Sequence, residues 1–456
     1  MRKLKKALIG LVTPALVGLV GAYLYLVAVP PELLRVGSGY ASKIICSASA
    51  LSGRDPGEVL KVDVQAPGNP LLRGFGIAPD PQTGAIRAAF LRFVAPAASL
   101  PRPGLGCALA TDGDSARAAA LSAPPAPGPS ASTAPWPEGE GTGPADPALA
   151  AILADDTLAG PGMRGIVVVR GGRIVAERYG PGFDAATPQL GWSMTKSVTA
   201  ALVGTVVDAG KLGLDQDHLL PAWQDDRAAI TVAQLMSMSS GLRFNEDYGD
   251  VSDVTRMLYL EPDMAAFAAN QPLDHAPGST FSYSSGTAVL LARIWQDAVG
   301  DDALAWPRQA LFGPLGMGSA VMETDEAGTF VGGSYLYATP RDWARFGLML
   351  LQQGQWQGKQ VLSPDFAAMM AQKSAADPVY AKGMIWQEGP GDDRPGADLE
   401  YGVPDDAFWL EGHDGQSVAI VPSAGLVVVR MGLTPSREGY RPQKLVAALV
   451  KAGAPG

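Results

Sequence analysis

One serine and one lysine stand out by type and spacing. Ser193-Met-Thr-Lys196 is the only Ser-x-x-Lys in the chain. A serine hydroxyl is a poor nucleophile until a neighbour takes its proton, and a lysine can do so once burial has lowered its pKa. Lys196 is also the only lysine between Lys61 and Lys211, in a stretch with many arginines. Arginine stays protonated in proteins, so a lone lysine among arginines points to work that needs deprotonation.

The surrounding pattern must place that pair. Val198, Leu202, Val206 and Val207 have helical spacing, which predicts a helix over residues 195–207 after a turn made by Pro188 to Gly191. Ser193 then starts the helix, and Lys196 projects from the same face one turn later. The helix N-terminus favours a developing oxyanion.

Two further stretches bear chemistry. Pro277-Gly-Ser-Thr-Phe-Ser-Tyr-Ser-Ser-Gly286 puts Tyr283 just before a predicted helix over 287–295. Next to a cationic lysine, a phenol can hold its proton loosely and pass it to a leaving group. Glu411-Gly-His-Asp-Gly-Gln416 leads into the strand-like Ser417-Val-Ala-Ile-Val421. A glycine there lets substrate backbone approach an edge strand, and the next N–H can point at an oxyanion.

In this order, Ser-x-x-Lys, Tyr-x-Ser and a late His-x-Gly triplet resemble the serine β-lactamase-like superfamily. Class C β-lactamases, D-alanyl-D-alanine carboxypeptidases, related esterases and 6-aminohexanoate-dimer hydrolases belong to it. Three more stretches are similar to that family: Thr231-Val-Ala-Gln-Leu-Met-Ser-Met-Ser-Ser-Gly-Leu242, Pro314-Leu-Gly-Met317 and Tyr337-Ala-Thr-Pro-Arg-Asp-Trp-Ala-Arg-Phe-Gly347. The resemblance covers residues 148–456. It implies that Ser193 is acylated, that Lys196 and Tyr283 activate it and protonate the leaving group, and that water releases the product. The oxyanion is then expected between the backbone N–H groups of Ser193 and Gln416, with Ser285, His413 and Gly415 binding substrate.

Two departures bear on substrate. Tyr283-Ser284-Ser285 ends in serine where β-lactamases of this type usually have asparagine, and His413-Asp414-Gly415 replaces Lys-Thr-Gly. A largely neutral histidine serves a β-lactam carboxylate less well than lysine does. The expectation is therefore a serine hydrolase of an amide or ester, closest to the 6-aminohexanoate-dimer hydrolases and esterases. The alternatives are a penicillin-binding D-alanyl-D-alanine carboxypeptidase or β-lactamase, or a cell-wall or β-lactam sensor that does not turn over. Substrate identity and oligomeric state are not readable here.

Other chemistries find little support. No Gly-x-Ser-x-Gly elbow occurs, and His218, His275 and His413 lack metal-ligand spacing. Neither metal nor cofactor is expected. The net charge of −10, with no basic cluster beyond the first six residues, argues against a nucleic-acid partner. The acidic stretch Asn245-Glu-Asp-Tyr-Gly-Asp250 reads as a solvated loop, with a face toward a cationic substrate as the alternative.

The expected fold is α+β: an antiparallel sheet flanked by terminal helices, with a helical subdomain inserted. Hairpins are expected at Gly165-Ile-Val-Val-Val-Arg170 with Arg173-Ile-Val-Ala-Glu-Arg-Tyr179 and around Pro422-Ser-Ala-Gly425, and helices over 341–353 and 442–451. Residues 1–29 read as a basic cytoplasmic tip and a single transmembrane anchor. The uncharged, largely apolar run from Ala7 to Val29 is long enough, at about 1.5 Å per residue, to span a bilayer core of about 30 Å. The basic tip orients everything after Pro30 outward, which makes the periplasmic side of a bacterial inner membrane the expected location. Residues 30–111 form a small extracytoplasmic region with strand-like alternation at Val59-Leu-Lys-Val-Asp-Val64, and Cys46 and Cys107 within it are a candidate disulfide. Residues 112–147, rich in Pro, Ala and Ser, read as a linker before the hydrolase domain at 148–456.

Overall fold

A computed structural model of the chain describes residues 18, 21, 23–66, 68–392 and 394–453. The proposed anchor lies largely outside these. Among the described residues, no helix is long and apolar enough to cross a membrane.

The central sheet has five antiparallel strands. In chain order we number the strands of the two larger sheets β1 (Phe75–Pro79), β2 (Ile86–Phe90), β3 (Val94–Arg102), β4 (Gly106–Ala110), β5 (Met163–Arg170), β6 (Arg173–Tyr179), β7 (Phe408–Gly412), β8 (Gln416–Val421) and β9 (Leu426–Gly432). The central sheet runs β7-β8-β9-β5-β6, so the early β5 pairs with the late β9, with Val168 opposite Val428. Both expected hairpins form. Gly171 and Gly172 carry φ of 58° and 76°, the left-handed pair that a tight two-residue hairpin requires.

Side chains alternate across this sheet with the period of two that a strand imposes. Ile166, Val168, Ala419 and Val428 face one layer, with Leu149 and Leu153 of α2 (Pro147–Ala154) and Leu445 and Leu449 of α6 (Gln443–Ala452). Val167, Val169, Val418 and Val429 face the other, larger core. That core contains α3 (Met194–Asp208), α4 (Ser285–Val299) and α5 (Pro340–Leu351). The terminal helices thus cover one face, and the inserted helices the other.

A second sheet, β1-β2-β3-β4, lies under α1 (Glu32–Ser52). Glycine inside a helix costs about 1 kcal/mol relative to alanine, yet α1 holds both Gly37 and Gly39. Close approach explains them: a Cβ on Gly37 would lie 2.5 Å from the Phe75 ring, and one on Gly39 3.0 Å from Tyr259. Cys46 of α1 and Cys107 of β4 are joined as a disulfide. The expected strand-like segment at 59–64 is instead helical. Asp55 caps the Glu58 N–H, and Pro56 opens the turn, so start signals for a helix override the alternation.

This N-terminal module is bonded to the hydrolase region through buried charge. Glu323 accepts from Lys43, from Ser47 Oγ at 2.7 Å and from the Cys107 N–H at 2.6 Å. Arg102 donates to Thr324 Oγ1 at 2.8 Å and to the Asp325 carbonyl at 2.7 Å. Asp63 takes one guanidinium from its own module, Arg54, and one from Arg164 of β5.

Residues 112–147 form no strand and only the short helix Ser115–Ala119 before α2, in keeping with their composition. They are nonetheless docked and not a free linker. Trp136 is buried beside the Arg345 guanidinium, and Glu140 accepts from Arg345 at 2.7 Å and from Arg341 at 3.1 Å. One tryptophan and one glutamate, too sparse to register as a core in the sequence, hold the strap.

Candidate active site

The approach to Ser193 is crowded. Gly191 is packed so closely on Trp343 that a Cβ would sit 2.2 Å from its ring. Trp192 takes a left-handed φ of 49°, a strained conformation for a bulky residue and one that concentrates at functional sites. The chain then enters α3, with the Lys196 N–H bonded to the Ser193 carbonyl at 3.0 Å. Among the described residues the Ser193 N–H has no hydrogen-bond partner, so it is available at the start of the helix.

Lys196 is 1% exposed. Its Nζ lies 3.0 Å from Ser193 Oγ, 2.9 Å from Ser285 Oγ and 3.0 Å from the Gly333 carbonyl oxygen. Burial lowers its pKa to about 8, while the nearby Glu246 carboxylate pulls in the opposite direction. A neutral amine has two donors and one lone pair. The Gly333 carbonyl can only accept, and Ser285 Oγ already donates its proton to Glu246. The lone pair is therefore left for the Ser193 hydroxyl.

Tyr283 lies with its ring centroid 4.7 Å from Lys196 Nζ, and its hydroxyl interacts with the Ser193 side chain. The expected loosely held phenolic proton is not what the surroundings produce. Burial, then the charge of Glu246, push the Tyr283 pKa far upward, so the phenol is held in its protonated form and keeps a proton to donate. The ring packs against Trp386 and edge-on against Tyr380, an aromatic wall that sequence spacing did not reveal.

Ser285 is the first residue of α4, and its neighbour Ser284 caps that helix by accepting the Thr287 N–H. Ser285 faces the centre and meets Glu246, whose carboxylate accepts both its N–H at 2.8 Å and its hydroxyl. Tyr248 donates to the same carboxylate at 3.2 Å. The stretch 245–250, expected as a solvated loop, thus brings two side chains to Ser285, itself bonded to Lys196. Its string of acids and a lone tyrosine gave no spacing signal by which to separate Glu246 from Asp247 and Asp250.

The third motif forms a short turn between β7 and β8. Asp414 and Gly415 have φ of 57° and 84°. The His413 ring lies 5.5 Å from Trp192 and 5.3 Å from Tyr248, and its Nε2 is 3.5 Å from Asp414. Gly415 is set against Arg430 and Thr434, and its carbonyl accepts from Arg430, so crowding and its φ account for the glycine. The glycine that abuts the segment leading to Ser193 is Gly412, where a Cβ would lie 2.3 Å from the Gly191 carbonyl oxygen. The Gln416 side chain turns to Gly432, accepting its N–H at 2.9 Å. Only the Gln416 backbone can then serve the reaction.

Among the described residues no group of His, Cys, Asp and Glu side chains could hold a metal ion.

Comparison with known proteins extends these observations. The Beta-lactamase family profile matches residues 152–450. The 6-aminohexanoate-dimer hydrolase of Paenarthrobacter ureafaciens is 27% identical over 214 residues, covering 43% of this chain and 54% of that protein. The chain thus spans about half the length of this curated relative. A solved structure named "Putative 6-aminohexanoate-dimer hydrolase from Bacillus anthracis" is 23% identical with a TM-score of 0.55, over 66% of this chain and 80% of that one. The penicillin-binding protein from Bacillus halodurans is 17% identical with a TM-score of 0.51, over 67% of this chain and 99% of that one. The two structures share the fold. The family match spans more than half of the sequence and takes in the whole Ser193, Lys196, Tyr283 and Ser285 cluster, and so the chain belongs to the Beta-lactamase family.

Proposed function

We propose that the protein is a serine hydrolase that cleaves an amide or ester through an acyl-Ser193 intermediate. The observation that carries this reading is the buried Lys196 amine, 3.0 Å from Ser193 Oγ, with its other two neighbours unable to give it a proton. The neutral amine takes the Ser193 proton as Oγ attacks the carbonyl carbon. The free Ser193 N–H at the start of α3 and the Gln416 N–H receive the oxyanion. Tyr283 gives its proton to the leaving nitrogen or oxygen as the bond breaks and is reprotonated from Lys196. Water then attacks the acyl carbon, and the serine regains its proton.

Two features support substrates like those of the 6-aminohexanoate-dimer hydrolases over β-lactams. One is the curated relative of that name, and the other is His413 where a lysine would favour a β-lactam carboxylate. Exposure of the purified protein to a fluorophosphonate, a penicillin and a panel of simple esters and amides, read by intact mass and peptide mapping, tests the reading. A Ser193 adduct and turnover of esters or amides are expected. A long-lived penicillin adduct would instead indicate a penicillin-binding protein or sensor, and no adduct at Ser193 would remove the catalytic claim.

We also propose that residues 7–29 anchor the chain in a membrane with the hydrolase region on the extracytoplasmic side. The basic tip, the apolar run and a disulfide between Cys46 and Cys107 support this. Recovery of the full chain from the soluble fraction after gentle lysis would oppose it.

A further inference from the structure

The N-terminal module lies outside the residues matched to the family, yet it builds one wall of a cavity beside the reactive serine. The cavity holds about 350 Å³, within the roughly 300–1,000 Å³ range of ligand pockets. On the module's side, α1 supplies Leu33, Val36 and Tyr40, and the following segment supplies Leu72 and Phe75. The opposite wall is Trp192, Tyr248 and His413. Trp192 precedes the serine, and the Tyr248 hydroxyl is 3.4 Å from Ser285 Oγ, itself 2.9 Å from Lys196 Nζ. The cavity is therefore apolar at the module, and on its far side it is walled by Trp192, the residue before Ser193, and by Tyr248, which contacts Ser285.

We propose that this cavity binds an apolar arm of the substrate, an aliphatic chain on one side of the scissile ester or amide, and that the N-terminal module exists in this chain to select for it. The proposal rests on acylation of Ser193 as set out above. Three observations favour an aliphatic occupant. The module's wall is almost wholly hydrocarbon and aromatic, and the charged lining residues Asp250, Asp414 and Arg437 belong to the hydrolase region, so an arm lying along the module would lose hydration if it were strongly polar. Leu72 belongs to the same small apolar cluster as Leu26 in the segment leading into α1, so the lining is continuous with an apolar surface. Finally, among the described residues after the proposed anchor, three of the four exposed large hydrophobic side chains, Val62, Leu91 and Phe93, belong to the module, and only Leu399 to the hydrolase region, so exposed apolar surface concentrates at this end of the molecule. Such an end is suited to meeting amphiphiles.

The test compares two ester series on the whole protein. One lengthens the acyl chain from p-nitrophenyl acetate to octanoate, and the other lengthens the alcohol from ethyl to octyl acetate. Fluorophosphonate labelling of Ser193 is followed alongside. Each methylene that enters the cavity is worth up to about fourfold in kcat/KM. At least about a tenfold rise along one series is expected, and the series that responds identifies which side of the carbonyl the arm occupies. Leu72→Trp and, independently, Val36→Trp should fill the cavity and abolish the rise. Labelling of Ser193 and turnover of the shortest ester should stay within about twofold. A flat response in both series, with normal labelling and acetate turnover, would overturn the cavity assignment and leave the hydrolase reading intact. A preference for long chains that survives both tryptophan variants would do the same. Absence of Ser193 labelling and of all turnover would overturn both readings together.

Discussion

Glu246 and Ser285 are joined twice, the carboxylate accepting the backbone N–H at 2.8 Å through one oxygen and the hydroxyl through the other. This arrangement fixes the direction of the Ser285 hydroxyl, which must point its proton at Glu246 and its lone pairs at Lys196. It also places a negative charge behind the lysine, where it raises the pKa that burial lowers. On the proposed mechanism Glu246 is a positioning residue, acting through Ser285 and opposing the effect of burial on Lys196.

The first prediction concerns pH. Lys196 is active as the neutral amine, so kcat/KM should rise with pH through an apparent pKa of about 8. Glu246→Gln removes the charge that favours the protonated amine, so the rising limb should move to lower pH, with a smaller change at alkaline pH. A pH profile of ester hydrolysis for both proteins checks this. A purely structural role for Glu246 would lower the rate at every pH and leave the limb in place.

Lys196→Arg keeps the positive charge and removes the base. The buried Nζ has three oxygen neighbours within 3.0 Å. Loss of general-base catalysis at this position should cost about 10²–10⁴-fold in kcat/KM. The loss should persist at high pH, because arginine does not deprotonate. Pre-steady-state acylation by an activated ester is the suitable measurement. Near-normal acylation in this variant would take Lys196 out of the mechanism.

How much of this was legible in the sequence depended on whether a signal was local. The Ser193 to Lys196 spacing, the two hairpins and α3 follow from periodicity and turn chemistry within a few residues, and they appear where expected. Glu246 could not be found that way. Its role depends on a contact with Ser285, 39 residues along, and nothing distinguishes it from the acids around it. The Tyr283 ring lies beside Lys196, and what acts on its proton, burial and Glu246, comes from outside its own motif and has no local signal in the sequence. The segment at 59–64 misled in the opposite sense: alternation was present, but the Asp55-Pro56 start signal was the stronger local instruction. The pocket role of the N-terminal module was invisible, since apolar residues on a core-facing helix and on a pocket wall look alike in sequence.

The bond between module and hydrolase region should be strong and insensitive to salt. Lys43 and Glu323 are 3% and 1% exposed, beyond the reach of ordinary ionic screening. Lys43→Met leaves the Glu323 carboxylate buried without its cation and should cost about 3–5 kcal/mol. Adding Glu323→Gln to that variant removes the stranded charge and should recover part of the loss. Urea denaturation of the three proteins measures the coupling. Independent, additive losses would mean that the two groups are not paired in solution.

The Cys46–Cys107 disulfide closes α1 onto β4 across a sequence separation of 61 residues, and both half-cystines are buried. Replacing both by alanine should lower stability by about 2–5 kcal/mol, through the freedom returned to the unfolded chain. Reductant should likewise lower the Tm of the wild-type protein and leave that of the double variant unchanged. The loss should fall first on long-chain substrates, because α1 carries the cavity wall whereas Ser193, Lys196 and Tyr283 are held by the hydrolase core. Equal loss on short and long esters would separate the bridge from the cavity. Two thiols freely alkylated without reductant would remove the bridge itself.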